Sequence, residues 1–289
     1  MIKKLRYLLE ALVLLLFLFI SKILPASWAS NFGGWLGRSI GPRLAASRKA
    51  RTNIKMALPD KTDEEISLII AGMWDNLGRV MMEYPHLTHI GSYNTEIVGL
   101  EILENYRDKP AILISGHLAN WECCPPALFL QKNFRASPIY RAPNNPFSDQ
   151  MLQYTRTLGG KIKTIPKSRS GTRHIVKALN DNMFVGMLLD QKYNEGIAVN
   201  FFNEPAMTSP IFVQLAQKFN CPVIPLRIER TQGCNFKITI EEPLEVKDKE
   251  AEKIISEFNT LLEKWIKEKP SQWLWLHRRW GKIQTDQND

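Results

Sequence analysis

Two residues in the first half of the chain, His117 and Glu122, have the types and spacing for proton chemistry. The apolar run Ala111-Ile112-Leu113-Ile114-Ser115 reads as a strand, and Gly116-His117-Leu118-Ala119-Asn120-Trp121-Glu122 leads from it into a helix. Loops at the carboxyl ends of strands are where open α/β sheets bind ligands. A carboxylate that accepts the imidazole Nδ1 hydrogen fixes the tautomer and leaves Nε2 free to take a proton from a hydroxyl. The helix start beyond the histidine also favours developing negative charge. On spacing alone, His-x-x-x-x-Glu is a sparse pattern that unrelated residues often satisfy.

Other candidate constellations carry less. Cys123 and Cys124 stand beside Glu122 but read as small residues on a core-facing helix, not as thiol nucleophiles. With Cys221 and Cys234 they make four cysteines without a C-x-x-C pair, which fits a reducing compartment and no zinc or redox site. His86 and His89 have helical spacing but follow Pro85 and lack a third ligand, so no metal is expected. No G-x-S-x-G, Walker A or G-x-G-x-x-G string occurs, which weighs against a serine hydrolase, an NTPase and a dinucleotide enzyme.

The elements that must position His117 alternate. Strands are expected at Ala111–Ser115, Ala136–Tyr140, Lys161–Ile165, Met183–Leu189 and Val223–Ile228. Helices are expected between them at Trp121–Gln131, Phe147–Leu158, Ser170–Leu179 and Pro210–Phe219, the last with Ser209 as N-cap and Pro210 at the first helical position. This predicts an α/β fold with a mixed, mostly parallel sheet flanked by helices, and an antiparallel pair near one edge before Glu242. Upstream, Thr62-Asp63-Glu64-Glu65 is a capping box that introduces an amphipathic helix ending before Pro85. A last amphipathic helix runs from about Lys249 to Lys267.

Length and composition fit this reading. The 289 residues, 44% hydrophobic and 23% charged, can fill a large core and exclude a disordered chain. The net charge of +9 lies entirely within residues 1–55, where ten Lys or Arg face Glu10 alone; the remainder is balanced, which is not a nucleic-acid pattern. The same region holds the most apolar stretch, Leu8–Leu24, with Glu10 and Lys22 near its ends. It is short for a span and basic on both sides, so a membrane-crossing helix and one lying in the interface both remain open. A signal peptide cleaved after Ala29 and a buried core helix are further readings. The expected organisation is an apolar membrane-anchor helix within residues 1–30 followed by one domain, 31–289.

The surrounding motifs add specificity. Gly116-His117 and Asn120-Trp121-Glu122, with Tyr140-Arg141, Asn145-Pro146, Asp190-Gln191, Phe201-Phe202, Pro205-Ala206, Thr208 and Trp273-Leu274-Trp275-Leu276-His277-Arg278-Arg279-Trp280, resemble the late acyltransferases of lipid A biosynthesis. These are the lauroyl and myristoyl transferases of Gram-negative bacteria, within the wider H-x4-D/E glycerolipid acyltransferase superfamily. The resemblance runs in order from the N-terminal anchor to Trp280.

It implies a glycerolipid-acyltransferase-like fold. It further implies transfer of a fatty acyl chain from an acyl carrier protein thioester to a hydroxyl of a lipid A precursor, at the cytoplasmic face of the inner membrane. No cofactor is implied beyond that donor. His117 matches the family's catalytic base and Glu122 its dyad partner. Arg156 and Asp190 match substrate-site positions, Arg156 to hold a phosphate and Asp190 to orient Arg156 or a polar substrate group. Arg141 and Arg173 are further candidates for the same anionic substrate, and Asn120 within the motif is counted with them.

Two residues depart from the family's pattern, Ala119 and Asn203, each where glycine is common. The anionic membrane surface is an expected partner of the basic segment. Three alternatives stand beside this reading: an acyltransferase for another polar lipid, such as a lysophospholipid or a mannosylated inositol lipid; a non-catalytic protein that binds anionic membranes; and a lipid esterase with the same histidine.

Overall fold

A computed structural model describes residues 2–281. Residue 1 of the expected anchor and residues 282–289 of the expected domain lie outside the described residues. The chain begins with five helices, α1 (Ile2–Ile23), α2 (Ala26–Ile40), α3 (Ala46–Ala57), α4 (Asp63–Glu83) and α5 (Leu87–Tyr93). There follow β1 (Thr95–Val98), α6 (Leu100–Glu104), β2 (Ala111–Ser115), α7 (Cys124–Lys132), β3 (Ala136–Tyr140), α8 (Pro146–Arg156), β4 (Ile165–Pro166), α9 (Arg169–Asn180) and β5 (Phe184–Leu188). The last third holds β6 (Ile197–Phe201), β7 (Glu204–Thr208), α10 (Ile211–Phe219), β8 (Val223–Gln232), β9 (Asn235–Ile240) and α11 (Ala251–Glu268).

Seven strands form one sheet in the order β1-β9-β8-β2-β5-β3-β4. All its neighbouring pairs are parallel except β8 and β9. The expected α/β class, the mostly parallel sheet and the antiparallel pair are all present. β2 lies at the centre and every residue of it is buried, which is why it reads as an unbroken apolar run. Its register with β5 sets Ser115 beside Leu188.

Local chemistry explains the helix ends. Thr62 accepts from the Glu65 amide while the Glu65 carboxylate accepts from the Thr62 amide, so the capping box forms as expected. The face of α4 that it launches buries Ile66, Ile69, Ile70, Met73 and Val80. α2 crosses α4 so closely that a Cβ on Gly33 or Gly78 would collide with the other's carbonyl.

Several expectations shift. The start of α10 shifts by one residue: Pro210 is the N-cap residue, while the Ser209 hydroxyl before it accepts from the Ile211 amide at 3.5 Å. Lys161–Ile165 shrinks to the two-residue β4, because the chain first turns through Leu158, Gly159 and Gly160 at positive φ. The hairpin β6–β7 is new, as its two-residue turn, Phe202-Asn203, hides an aromatic residue where turn residues usually stand.

The N-terminal helix also differs from a simple span. No helix among the described residues is long and apolar enough to cross a membrane, so the transmembrane form of the anchor is not met. Instead α1 is fastened along its length to the body. Asn145 Nδ2 donates to the Tyr7 carbonyl (2.8 Å) and to Glu10 Oε2 (3.1 Å), and the buried Ser21 hydroxyl donates to the Met82 carbonyl. His86 Nε2 lies 2.8 Å from the Ser21 carbonyl. Leu5, Leu9, Leu12, Val13, Leu16, Phe19 and Ile23 stay exposed.

Candidate active site

His117 and Asp190 each stand two residues past a paired strand position, Ser115 on β2 and Leu188 on β5. Parallel register therefore brings them side by side at the carboxyl end of the sheet. His117 Nδ1 lies 2.7 Å from Asp190 Oδ1, and the His117 amide donates to Asp190 Oδ2 at 2.7 Å. Trp273 Nε1 gives Oδ2 a second donor at 2.8 Å. Burial alone would raise the Asp190 carboxyl, but the charge and hydrogen bonds of His117 outweigh it and hold the group below the usual carboxylate range. An ionised Asp190 accepts the Nδ1 hydrogen and leaves the Nε2 lone pair available.

This corrects the expected pairing of His117 with Glu122. After His117 the chain turns through Ala119, whose φ is +44°, and a 3-10 turn at Trp121–Cys123, which directs Glu122 towards Tyr84 and α8. There Arg156 grips the carboxylate with two donors, Nε to Oε2 at 2.6 Å and Nη2 to Oε1 at 2.7 Å. The Tyr84 hydroxyl donates to Oε1 at 2.8 Å. Arg156 Nη1 is buried with no hydrogen-bond partner among the described residues. Asp190 therefore orients His117 and not Arg156, one of the two partners expected for it, the other being a polar substrate group.

The other expected site residues scatter. Asn120 is fully buried, accepts from the Glu122 amide and donates to Glu83 Oε2 at 2.8 Å, so it holds the loop in place of facing a substrate. Glu83 in turn is paired with the buried Arg230. Arg141 is exposed just past β3 and Arg173 is exposed on α9. Cys123 and Cys124 have thiols pushed up by burial, which suits their reading as packing residues.

Three side chains beside His117 were not singled out from sequence for this role. Trp121 packs edge-on to the imidazole at a centroid distance of 4.9 Å. Gln191 Nε2 lies 3.2 Å from His117 Nε2 and 3.1 Å from His277 Nε2. Burial pushes His277 down to about 4, so its ring is neutral at ordinary pH. The segment that brings it in crosses the His117 loop: Leu118 bridges Trp273, and the Leu274 amide donates to the His117 carbonyl at 3.2 Å. The signal was adjacency, since Gln191 follows Asp190 and His277 follows the tryptophan pair, but nothing in the spacing points them at His117.

The profile of bacterial lipid A biosynthesis acyltransferases matches residues 1–282. The chain belongs to this family. A lipid A biosynthesis acyltransferase of Haemophilus influenzae is 24% identical over 259 residues, 85% of this chain and 81% of that protein. Lipid A biosynthesis acyltransferase 2 of Shigella flexneri is 22% identical over 260 residues, 86% of this chain and 80% of that one. The lipid A biosynthesis lauroyltransferase of Escherichia coli is 24% identical over 244 residues, 78% and 76% of the two chains. The protein is thus an acyltransferase of lipid A biosynthesis.

In this acyltransferase the two departures from the family's glycines fall where the backbone is left-handed. Ala119 has φ +44° and Asn203 has φ +61°. Asn tolerates that region, whereas Ala119 carries a steric cost of about 1–2 kcal/mol. Ala119 is held by its amide donating to the Gln272 carbonyl and its carbonyl accepting from Asn76, 2.8 Å each.

Proposed function

We propose that this acyltransferase moves a fatty acyl chain from an acyl carrier protein thioester to a hydroxyl of a lipid A precursor, with His117 as general base oriented by Asp190. The observation that carries the reading is the 2.7 Å contact between His117 Nδ1 and the buried Asp190 carboxylate, which leaves Nε2 as the ring atom free to act as base. The acceptor hydroxyl gives its proton to Nε2 as its oxygen attacks the thioester carbonyl carbon. The carbon–sulfur bond then breaks, and the thiolate takes the proton back from Nε2. A thioester is already activated, so no acyl-enzyme is required. Base catalysis of this kind supplies roughly 10²–10⁴-fold.

Glu122 has a supporting part in this scheme. It fixes the Arg156 guanidinium and leaves Nη1 as the donor for an anionic group of the acceptor. The exposed apolar face of α1, with Lys3, Lys4 and Arg6 at its start, suits a helix lying in the interface of the inner membrane, with the site on the cytoplasmic side. Each basic residue near an anionic leaflet contributes roughly 1 kcal/mol. That geometry keeps the site at the surface where the glycolipid resides, while an acidic, soluble donor arrives from the aqueous side.

Mass spectrometry of the acceptor tests this. Membranes carrying wild type or His117→Ala are incubated with acyl-carrier-protein donors of several chain lengths and a tetra-acylated lipid A precursor. One added acyl mass, absent with His117→Ala, is expected. Acylation of a phospholipid with none on the precursor overturns the acceptor assignment, and equal transfer by His117→Ala overturns the base.

A further inference from the structure

The Gln191 carboxamide occupies the place that an acceptor hydroxyl must take. Its nitrogen is at hydrogen-bond distance from the one imidazole atom that the reaction needs, His117 Nε2, and from His277 Nε2 at once. The orientation of the amide follows from chemistry. Asp190 holds the hydrogen on Nδ1 of His117, so Nε2 presents a lone pair, and an amide oxygen there would meet lone pair with lone pair. The amide nitrogen has two hydrogens, one for each ring.

Acyl transfer also needs a donor for the oxygen of the attacked carbonyl, and the loop that carries His117 has little to offer. The His117 amide is committed to Asp190, the Leu118 amide to the Gly116 carbonyl, and the Ala119 amide to the Gln272 carbonyl. Trp273 Nε1 is committed to Asp190 and Asn120 Nδ2 to Glu83. Gln191 places a side-chain N–H on the reacting side of His117, its Nε2 3.2 Å from His117 Nε2.

We propose that Gln191 is a catalytic residue whose amide N–H stabilises the oxyanion formed on the thioester carbonyl, with His277 as the positioning residue that keeps the amide in place. The proposal rests on the acyl-transfer reading above. When the acceptor hydroxyl takes Nε2 of His117, one amide hydrogen is released while the other stays on His277. The amide turns and does not leave. The attacked carbon lies one forming bond beyond the hydroxyl oxygen, which brings its carbonyl oxygen beside the released N–H. As the oxygen–carbon bond forms, the carbonyl electron pair moves to oxygen and the proton to His117; the pair returns as the carbon–sulfur bond breaks, and the thiolate takes that proton. His277 is itself held by α3, where Asn53 Nδ2 donates to the His277 carbonyl at 2.8 Å.

The test measures transfer by wild type, His117→Ala, Gln191→Ala, Gln191→Asn, His277→Ala and His277→Gln in one assay. Removal of one oxyanion donor lowers kcat by about 10²–10³-fold. Gln191→Ala is expected to fall in that range with KM for donor and acceptor within about threefold of wild type, a donor-loss pattern. Gln191→Asn should keep part of the activity, and His277→Gln, which retains an acceptor, should exceed His277→Ala.

Two inert donor analogues separate this role from misfolding: a phosphonate with a tetrahedral anionic oxygen, and a thioether with none. Gln191→Ala and Gln191→Asn should bind the phosphonate more weakly than wild type and the thioether equally well. Gln191→Ala with more than a third of wild-type kcat, or equal loss of both analogues, overturns the proposal. Wild type that transfers to no lipid acceptor overturns the acyl-transfer reading instead.

Discussion

Two polar clusters begin five residues apart in sequence, at His117 and at Glu122, and they are built in opposite ways. The His117 cluster sits on the ends of two registered parallel strands, with Asp190 fully buried and the imidazole 14% exposed. Its reacting atom, Nε2, meets the Gln191 amide, with the Trp121 and His277 rings packed against the imidazole. The Glu122 cluster is closed: carboxylate and guanidinium are 9% and 11% exposed and joined by two hydrogen bonds, with Tyr84 as a third partner. The difference teaches that spacing along a loop does not decide which carboxylate serves a histidine. Strand register does, because it fixes both backbones before any side chain is placed.

The largest effect on stability is expected from opening the closed cluster. Glu122→Ala leaves Arg156 buried beside Tyr84 without its carboxylate, and breaking such a pair costs about 3–5 kcal/mol. Chemical denaturation should show that loss, and the neutral double variant Glu122→Gln/Arg156→Gln should recover most of it. If the double variant is as unstable as the single one, the pair is not the unit described.

A smaller effect sharpens the His117 cluster. His277 titrates near 6.5 when unfolded and is held down to about 4 by burial when folded. The unfolded chain therefore binds the proton first, and stability is full above about pH 6.5 and falls as the pH drops towards 4. A shift of this size is worth on the order of 2–3 kcal/mol over that window. His277→Gln should show a shallower decline between pH 7 and 4 than wild type; identical slopes would mean that the ring is charged in the folded protein.

Much of this was legible beforehand. Ala111–Ser115 announces a buried parallel strand by its unbroken apolar run, and Thr62 to Glu65 announces α4 by its cap. His117, Glu122, Arg156 and Asp190 were all in view, but their pairing was not, since β2 and β5 are separated in sequence by β3, β4 and three helices. Gln191 and His277 escaped for the same reason. The lateral docking of α1 is marked by polar contacts at Tyr7, Glu10 and Ser21 with Asn145, Met82 and His86, which leave no periodic trace. The Phe202-Asn203 turn stayed hidden because a buried Phe202, its amide donating to Glu263 Oε1 at 2.7 Å, replaces the usual turn residue.

The central claim, that Asp190 and not Glu122 holds the Nδ1 hydrogen of His117, is tested most directly by proton NMR of protein carrying 15N-labelled histidine, with His117→Ala assigning the signal. A low-field Nδ1–H resonance from His117 should persist in Glu122→Gln/Arg156→Gln and disappear in Asp190→Asn. Persistence in Asp190→Asn together with loss in the double variant would contradict the account and return the dyad to Glu122.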